Sequence, residues 1–234
     1  MIIEKDVGLL EDKIKYSFKN QKYLEQAITH SSFANERKIN RQADYERLEF
    51  LGDAVLELVT SSFLFKMYTD MPEGEMTKTR ASLVCEQSLA YCAKDIEIAK
   101  FIRLGKGEES TGGRDRDSII ADVMEAIIGA LYLDGGFDEA SDFIHRFILS
   151  DWEKKQLFYD SKTLLQEALQ KNGQVNIRYD LVDEVGPDHA KQFTIAARVN
   201  GKIVGQGIGK TKKAAEQLAA YEALLFLKKS ENQE

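Results

Sequence analysis

The stretch Tyr45–Val59, YERLEFLGDAVLELV, decides how this chain is read. Leu48, Leu51, Val55, Leu58 and Val59 recur with the spacing of a buried helix, yet the same segment carries Glu46, Glu49, Asp53 and Glu57. At about 100° per residue the four acids fall within a stripe of roughly 80°, with the apolar residues on the far side. Anions this close repel one another, and burial raises their pKa values unless a cation compensates. A merely solvated helix face carries bases at i,i+4 spacing. Here Arg47 is the only base between Glu46 and Phe65.

A second acidic pair lies in Ser118–Asp134, SIIADVMEAIIGALYLD, where Asp122 and Glu125 are three apart among Ile, Val, Met, Ala and Leu. A solvated face explains this pair poorly, because little other polar surface shares the helix. Glu73, in the turn MPEGEM, is a weaker third candidate. Two such helices brought together make an oxygen-rich site suited to Mg²⁺, with Mn²⁺ as a substitute. Such a site supports phosphodiester hydrolysis. Other chemistries lack their residues. The three histidines, His30, His145 and His189, supply no paired Glu-x-x-His motif, the nearest match being Asp142…His145. The two cysteines make no zinc cluster. No Ser-His-Asp arrangement, P-loop or G-x-G-x-x-G is present, and no small-molecule substrate is implied.

The 234 residues suffice for one large domain or two modest ones, and 43% hydrophobic with 30% charged residues is ordinary for a globular protein. No apolar run approaches the roughly 20 residues of a membrane span. The opening MIIEKDVGLLEDKIK mixes acids and bases too early for a signal peptide, so a cytoplasmic protein is expected. Cys85 and Cys92 read as two buried reduced thiols. A net charge of −7 argues mildly against nucleic acid, but its distribution is uneven. Residues 1–158 hold 21 Lys and Arg against 29 Asp and Glu, whereas residues 159–234 hold 11 against 10. Two modules of different electrostatic character are expected.

From Leu9 to Trp152 only helical periodicities occur, with candidate helices at 21–30, 42–68, 75–92, 94–103, 118–133 and 137–153. TDMPEGE, LGKGEESTGGRDRD and LDGGFD punctuate them. Beyond DWEKKQLFYDSK the pattern changes. A short helix, SKTLLQEALQKNG, is followed by the alternating segments VNIRYDLVDEV and KQFTIAARV, then by NGKIVGQGIG with a hairpin signal at Asn200-Gly201. A last helix starts at Thr211. The expected architecture is an all-α domain over 1–153 followed by a small α+β domain, α-β-β-β-α, over 160–230.

YERLEFLGDAVLELV closely resembles the signature segment of the ribonuclease III family. ITHSSFANE, PEGEMTKTRASLVCEQSLA and LGKGEESTGGRDRDSIIADVMEAIIGALYLDGG resemble its other segments in order and spacing. The second module is similar to a double-stranded-RNA-binding domain, with GPDHAKQF and GKTKKAAEQLAA as its markers. The resemblance implies an all-helical endonuclease acting as a homodimer on double-stranded RNA, each of two centres cutting one strand. Products would carry 5′-phosphate and 3′-hydroxyl ends with short 3′ overhangs, and ribosomal and messenger RNA precursors would be processed. It implies metal-liganding roles for Glu46, Asp53, Asp122 and Glu125, with Asp53 and Glu125 catalytic. Glu49 and Glu73 match positions tied to the subunit contact, RNA or a second metal, and Glu57 is a bystander. THSS departs from the base that many members carry after the histidine. The competing reading is a dimer that holds duplex RNA without cutting it, and retention of all four acids argues against it.

Lys210, Lys212 and Lys213 stand at the start of the last helix, where the macrodipole disfavours cations. Phosphates docking at that N-terminus resolve the conflict. Gly186, Pro187 and His189 in GPDH, and Gln166 and Glu167 on the first helix of the module, are placed by the resemblance against an RNA minor groove. An A-form duplex is read by shape, so sequence specificity should be low. Arg103, Lys106, Arg114 and Arg116 flank the Gly-rich segment before the second acidic helix, and some of them are expected to touch phosphates near the cut.

Overall fold

The computed structural model describes residues 3–38, 43–152, 161–170, 176–187, 191–209 and 211–231. The chain divides into two compact units, Met1–Trp152 and Glu153–Glu234, each with its own core.

The first unit is helical. Its elements are α1 (Ile3–Ile14), α2 (Gln21–Ala27), α3 (Ser31–Glu36), α4 (Glu46–Met67), α5 (Glu73–Val84), α6 (Glu86–Ile96), α7 (Lys106–Ser110), α8 (Asp117–Gly135) and α9 (Phe137–Ile144), the last running into a π turn at His145–Leu149. Helix α8 is the axis of the core. Ile119, Val123, Met124, Ile127, Ile128 and Leu131 are buried along one half of its circumference, and Asp122 and Glu125, half-buried, lie on the other. Helix α4 crosses it at very short range, and two glycines make the approach possible. A Cβ on Gly52 would lie 1.8 Å from the Glu125 carbonyl oxygen, and one on Gly129 would lie 2.2 Å from that of Leu48. Here glycine serves backbone contact rather than flexibility.

The helix expected over 75–92 is two helices. Cys85 between them is extended (φ −69°, ψ 155°), and the Ser82 and Cys85 side chains donate to the Thr79 and Ser82 carbonyls at the break. The helix expected over 94–103 stops at Ile96, because Glu97 turns left-handed (φ 56°) and a 3₁₀ turn follows at Ile98–Lys100. Its carboxylate is held there by Lys13 and Lys100. Both cysteines are free, but only Cys92 is buried; Cys85 is half-buried.

In the second unit, α10 (Ser161–Gln170) and α11 (Lys212–Glu231) flank an antiparallel sheet in the order β1 (Ile177–Val185), β2 (Gln192–Val199), β3 (Lys202–Gly209). Asn200 and Gly201 both have positive φ, 49° and 82°, the backbone of the tight hairpin that Asn-Gly specifies. Along β3, Gly205 and Gly207 face α11 so closely that a Cβ on either would lie 2.3 Å from a helix carbonyl oxygen, of Ala219 and Ala215 respectively. Ala215, Ala219, Ala220 and Ala223 are fully buried. Small residues on both partners thus lay helix on sheet and place the start of α11. No described helix is long and apolar enough to cross a membrane.

Candidate active site and RNA-binding surface

The α4–α8 crossing assembles the acids from both helices. Gly52 rests on the backbone of Glu125, so Glu49 and Asp53 on α4 come beside Asp122 and Glu125 on α8. Asp53 and Glu46 are exposed; Glu49, Asp122 and Glu125 are half-buried. Among the described residues none of the five makes an ion pair. Their charges act on one another. Burial, reinforced by Asp53, Glu49 and Asp122, pushes the Glu125 carboxyl up to about 8. Burial together with Asp122, Glu46 and Asp53 pushes Glu49 up to about 7. Asp122 is raised by burial, opposed by a hydrogen bond from Tyr45 and by the nearby His30 imidazole. Glu49 is therefore central to the cluster. Glu46, exposed, acts on Glu49 and Tyr45 and is not among the groups acting on Glu125.

The carboxylates do not converge on a common point. Among the described residues no three acids, histidines or cysteines are drawn up as a metal-binding group. Glu57 lies apart, bonded to Arg80 of α5 at 2.7 Å, which fits a bystander. Glu73, at the start of α5, lines a groove with Leu58, Phe65, Met76 and Arg80 and does not enter the cluster. This groove opens on a third face of α4, neither acidic nor buried, where Phe50 is 81%, Leu58 59% and Phe65 72% exposed. The sequence reading set Leu58 with the buried residues; it stands outside them.

Two residues of this region were not singled out by sequence. The Tyr45 hydroxyl donates to Asp122 Oδ2 at 3.1 Å, and burial beside Asp122 raises its pKa. The His30 ring lies 5.6 Å from that of Tyr45.

The arginines expected at phosphates in the first unit are paired within the chain. Arg114 is bonded in two-pronged fashion to Glu109, at 2.8 and 2.5 Å, and also donates to the Ala99 carbonyl. Arg116 pairs with Glu108 at 2.8 Å, and Arg103, half-buried, lies 3.6 Å from Glu25. The segment folds as two short helical turns, so its own acids neutralise its arginines. Lys106 remains exposed.

In the second unit, Thr211 caps α11 by accepting the Ala214 N–H at 3.1 Å. Lys212 and Lys213 are exposed in its first turn, with Lys212 over the Phe193 ring. Gln166 and Glu167 are exposed on α10, which Lys162 ties to Glu216 of α11 at 2.7 Å. Gly186 and Pro187 are exposed after β1, Gly186 with φ 104°. Lys210 and His189 lie outside the described residues, as does the stretch 153–160 between the modules.

Residues 20–152 match the family model described as ribonuclease-III-like, and residues 161–227 match that of the double-stranded RNA binding motif. Such a pairing defines an endoribonuclease that acts on double-stranded RNA. The chain is 49% identical to ribonuclease 3 of Listeria monocytogenes, covering 92% of this chain and 95% of that protein. It is 50% identical to ribonuclease 3 of Caldanaerobacter subterraneus, with the same coverage. Among solved structures, the nuclease domain of ribonuclease III from Campylobacter jejuni superposes with a TM-score of 0.57 at 41% identity, covering 61% of this chain and 95% of that one. The chain belongs to the ribonuclease III family.

Proposed function

We propose that the α4–α8 acids cleave double-stranded RNA with a divalent cation, Mg²⁺ or Mn²⁺ in its place. The observation that carries this reading is the backbone crossing that brings Glu49 and Asp53 of α4 beside Asp122 and Glu125 of α8, where burial and then neighbouring carboxylates raise Glu49 to about 7 and Glu125 to about 8. A cation bound there would displace protons from these raised carboxyls. The donor set is all carboxylate, which fits a hard cation. Glu49, Asp53, Asp122 and Glu125 form the inner set in this proposal, with Glu46 at its edge. That differs from the assignment the family resemblance implies, in which Glu46 is a ligand and Glu49 a supporting acid. A bound cation would activate water and neutralise charge on the scissile phosphate. The half-buried acids restrict water around the reacting centre, and Asp53, being exposed, faces the incoming strand. Water's oxygen bonds to phosphorus as the bond to the 3′ oxygen breaks, leaving 5′-phosphate and 3′-hydroxyl ends.

Two copies would associate through the exposed apolar face of α4 and its groove, bringing two centres to one duplex and giving short 3′ overhangs. The second unit would grip the duplex through Lys212 and Lys213, with Gln166, Glu167, Gly186 and Pro187 at the minor groove. Lys210 and His189 complete that surface by sequence. Structured precursors of ribosomal and messenger RNA, met in the cytoplasm, are the proposed targets.

The test is a gel assay of a long RNA duplex with wild-type protein and Glu125→Gln, in Mg²⁺ and in EDTA. Discrete shortening is expected only with wild type and Mg²⁺, while Glu125→Gln retards the duplex uncut. Cleavage by wild type in EDTA would refute the metal-dependent reading.

A further inference from the structure

We propose that Tyr45, braced by His30, is a positioning residue for Asp122, fixing which oxygen of that carboxylate faces the acid cluster. The inference rests on the metal-dependent reading above. Tyr45 is buried, at 4% exposure, and its only polar side-chain atom donates to Asp122 Oδ2 at 3.1 Å. With Oδ2 so engaged, Oδ1 is the oxygen left for a cation. Among the described residues no other hydrogen bond restrains that carboxylate. A hydroxyl that fixes one oxygen of a liganding acid is the usual form of outer support in metal sites.

Tyr45 is itself fixed. Its backbone N–H donates to the Thr29 carbonyl at 2.9 Å, in the segment that pairs with Arg103 through His30 N–H to Arg103 O and Arg103 N–H to Ile28 O. The next residue, His30, packs its ring against the phenol. That imidazole is locked by its own bonds. Nδ1 accepts the Ser32 N–H at 3.1 Å, capping α3, and lies 2.7 Å from Ser32 Oγ, which in turn accepts the Gly105 N–H at 2.9 Å. With Nδ1 an acceptor, the neutral ring carries its proton on Nε2. The departure at THSS thus falls in the stretch that sets this brace, and the serine after the histidine leaves Ser32 as the residue that holds it.

The experiment uses the full chain. Tyr45→Phe keeps the buried ring and removes only the hydroxyl; His30→Asn keeps a capping acceptor and removes the ring. Mn²⁺ binding is measured by calorimetry without RNA, and the Mg²⁺ concentration for half-maximal cleavage is measured with duplex RNA. For Tyr45→Phe both should weaken by about ten-fold, the lower end for lost outer support. KM for RNA and Tm should stay at wild-type values, a split that a merely structural role would not produce. His30→Asn should move the same quantities in the same direction by less. If wild type binds Mn²⁺ and requires Mg²⁺ but neither variant shifts them, the positioning role is wrong and the metal reading stands. If wild type neither binds Mn²⁺ nor requires Mg²⁺, both fall.

Discussion

Replacing Gly52 with alanine tests whether the helix crossing builds the active site. The added Cβ would sit 1.8 Å from the Glu125 carbonyl oxygen, 2.6 Å from its carbon and 2.9 Å from the Gly129 nitrogen. All three are backbone atoms of α8, so no side chain can swing aside. Ordinary contact begins at 3.4 Å, and the helices must part by about 1.5 Å to reach it. A gap of about 0.5–1 Å already forfeits a quarter to a half of each contact's attraction along the seam. Overpacked cores lose about 1–3 kcal/mol, and the rigid partner puts this site at or above about 3 kcal/mol. For a unit of this size that is roughly 6–12 °C in Tm.

The assay is thermal melting of the full chain by circular dichroism and calorimetry, with cleavage followed in parallel. Cleavage should fall further than stability explains. At temperatures where Gly52→Ala is fully folded, the separated helices still hold Glu49 and Asp53 away from Asp122 and Glu125. Binding of duplex RNA by the second unit should persist. Gly8→Ala is the control: its Cβ meets nothing within 4 Å on α1, so it should be neutral or stabilising by about 0.5–1 kcal/mol. A Gly52→Ala protein with wild-type Tm and wild-type cleavage would refute both the close crossing and its role.

The cluster also sets a pH dependence in EDTA. Glu49 at about 7 and Glu125 at about 8 lie above the ordinary glutamate value of 4.5, so the folded chain keeps protons that the unfolded chain releases. Their contribution is full at pH values below about 4.5 and lost as pH rises through about 7 to 8. Tm of the nuclease unit in EDTA should therefore drop between pH 6 and pH 8.5, and a flat profile would show the acids to be uncoupled. Arg114→Ala should destabilise by about 1–3 kcal/mol, through the lost Glu109 and Ala99 bonds, and leave the salt dependence of RNA binding unchanged. Lys212→Ala with Lys213→Ala should do the reverse, lowering the slope of log K against log salt by about two without moving Tm. Exchanged behaviour of the two variants would overturn the assignment of free and occupied bases.

The acids were legible in sequence because helical periodicity puts them on one stripe and the lack of neighbouring bases is visible in one dimension. The strands of the second unit were legible for the same reason, since alternation is local, and Asn200-Gly201 declares its own backbone. The rest is tertiary. Tyr45 and Asp122 are 77 positions apart, and nothing in either segment announces that a phenol meets a carboxylate. Gly52 and Gly129 read as weak points of two helices, and only the crossing shows them as contact points. Arg114 and Arg116 look available beside an acidic helix, yet Glu108 and Glu109 fold back on them. The ranking of Glu49 over Glu46 depends on which face of α4 meets α8, and a stripe alone leaves that open.

The crossing and the unpaired acids belong to one design. Five carboxylates without a counter-ion push α4 and α8 apart, and a helix pair held only by side-chain tips would yield. Glycine on both helices brings backbone to backbone, and the buried Ile119, Val123, Met124 and Ile127 fix α8 so that α4 cannot slide from it. Packing supplies the force that function spends, so removing one acid should release part of it. Glu125→Gln, which ends cleavage in this reading, should raise Tm in EDTA at pH 8.5, where the glutamate is largely ionised. The gain should shrink toward pH 6, where the glutamate is protonated and nearly isosteric with glutamine. Calorimetry at the two pH values measures it. A variant less stable than wild type at pH 8.5 in EDTA would mean that Glu125 supports the fold, and the account of these acids as strain held for catalysis would fail.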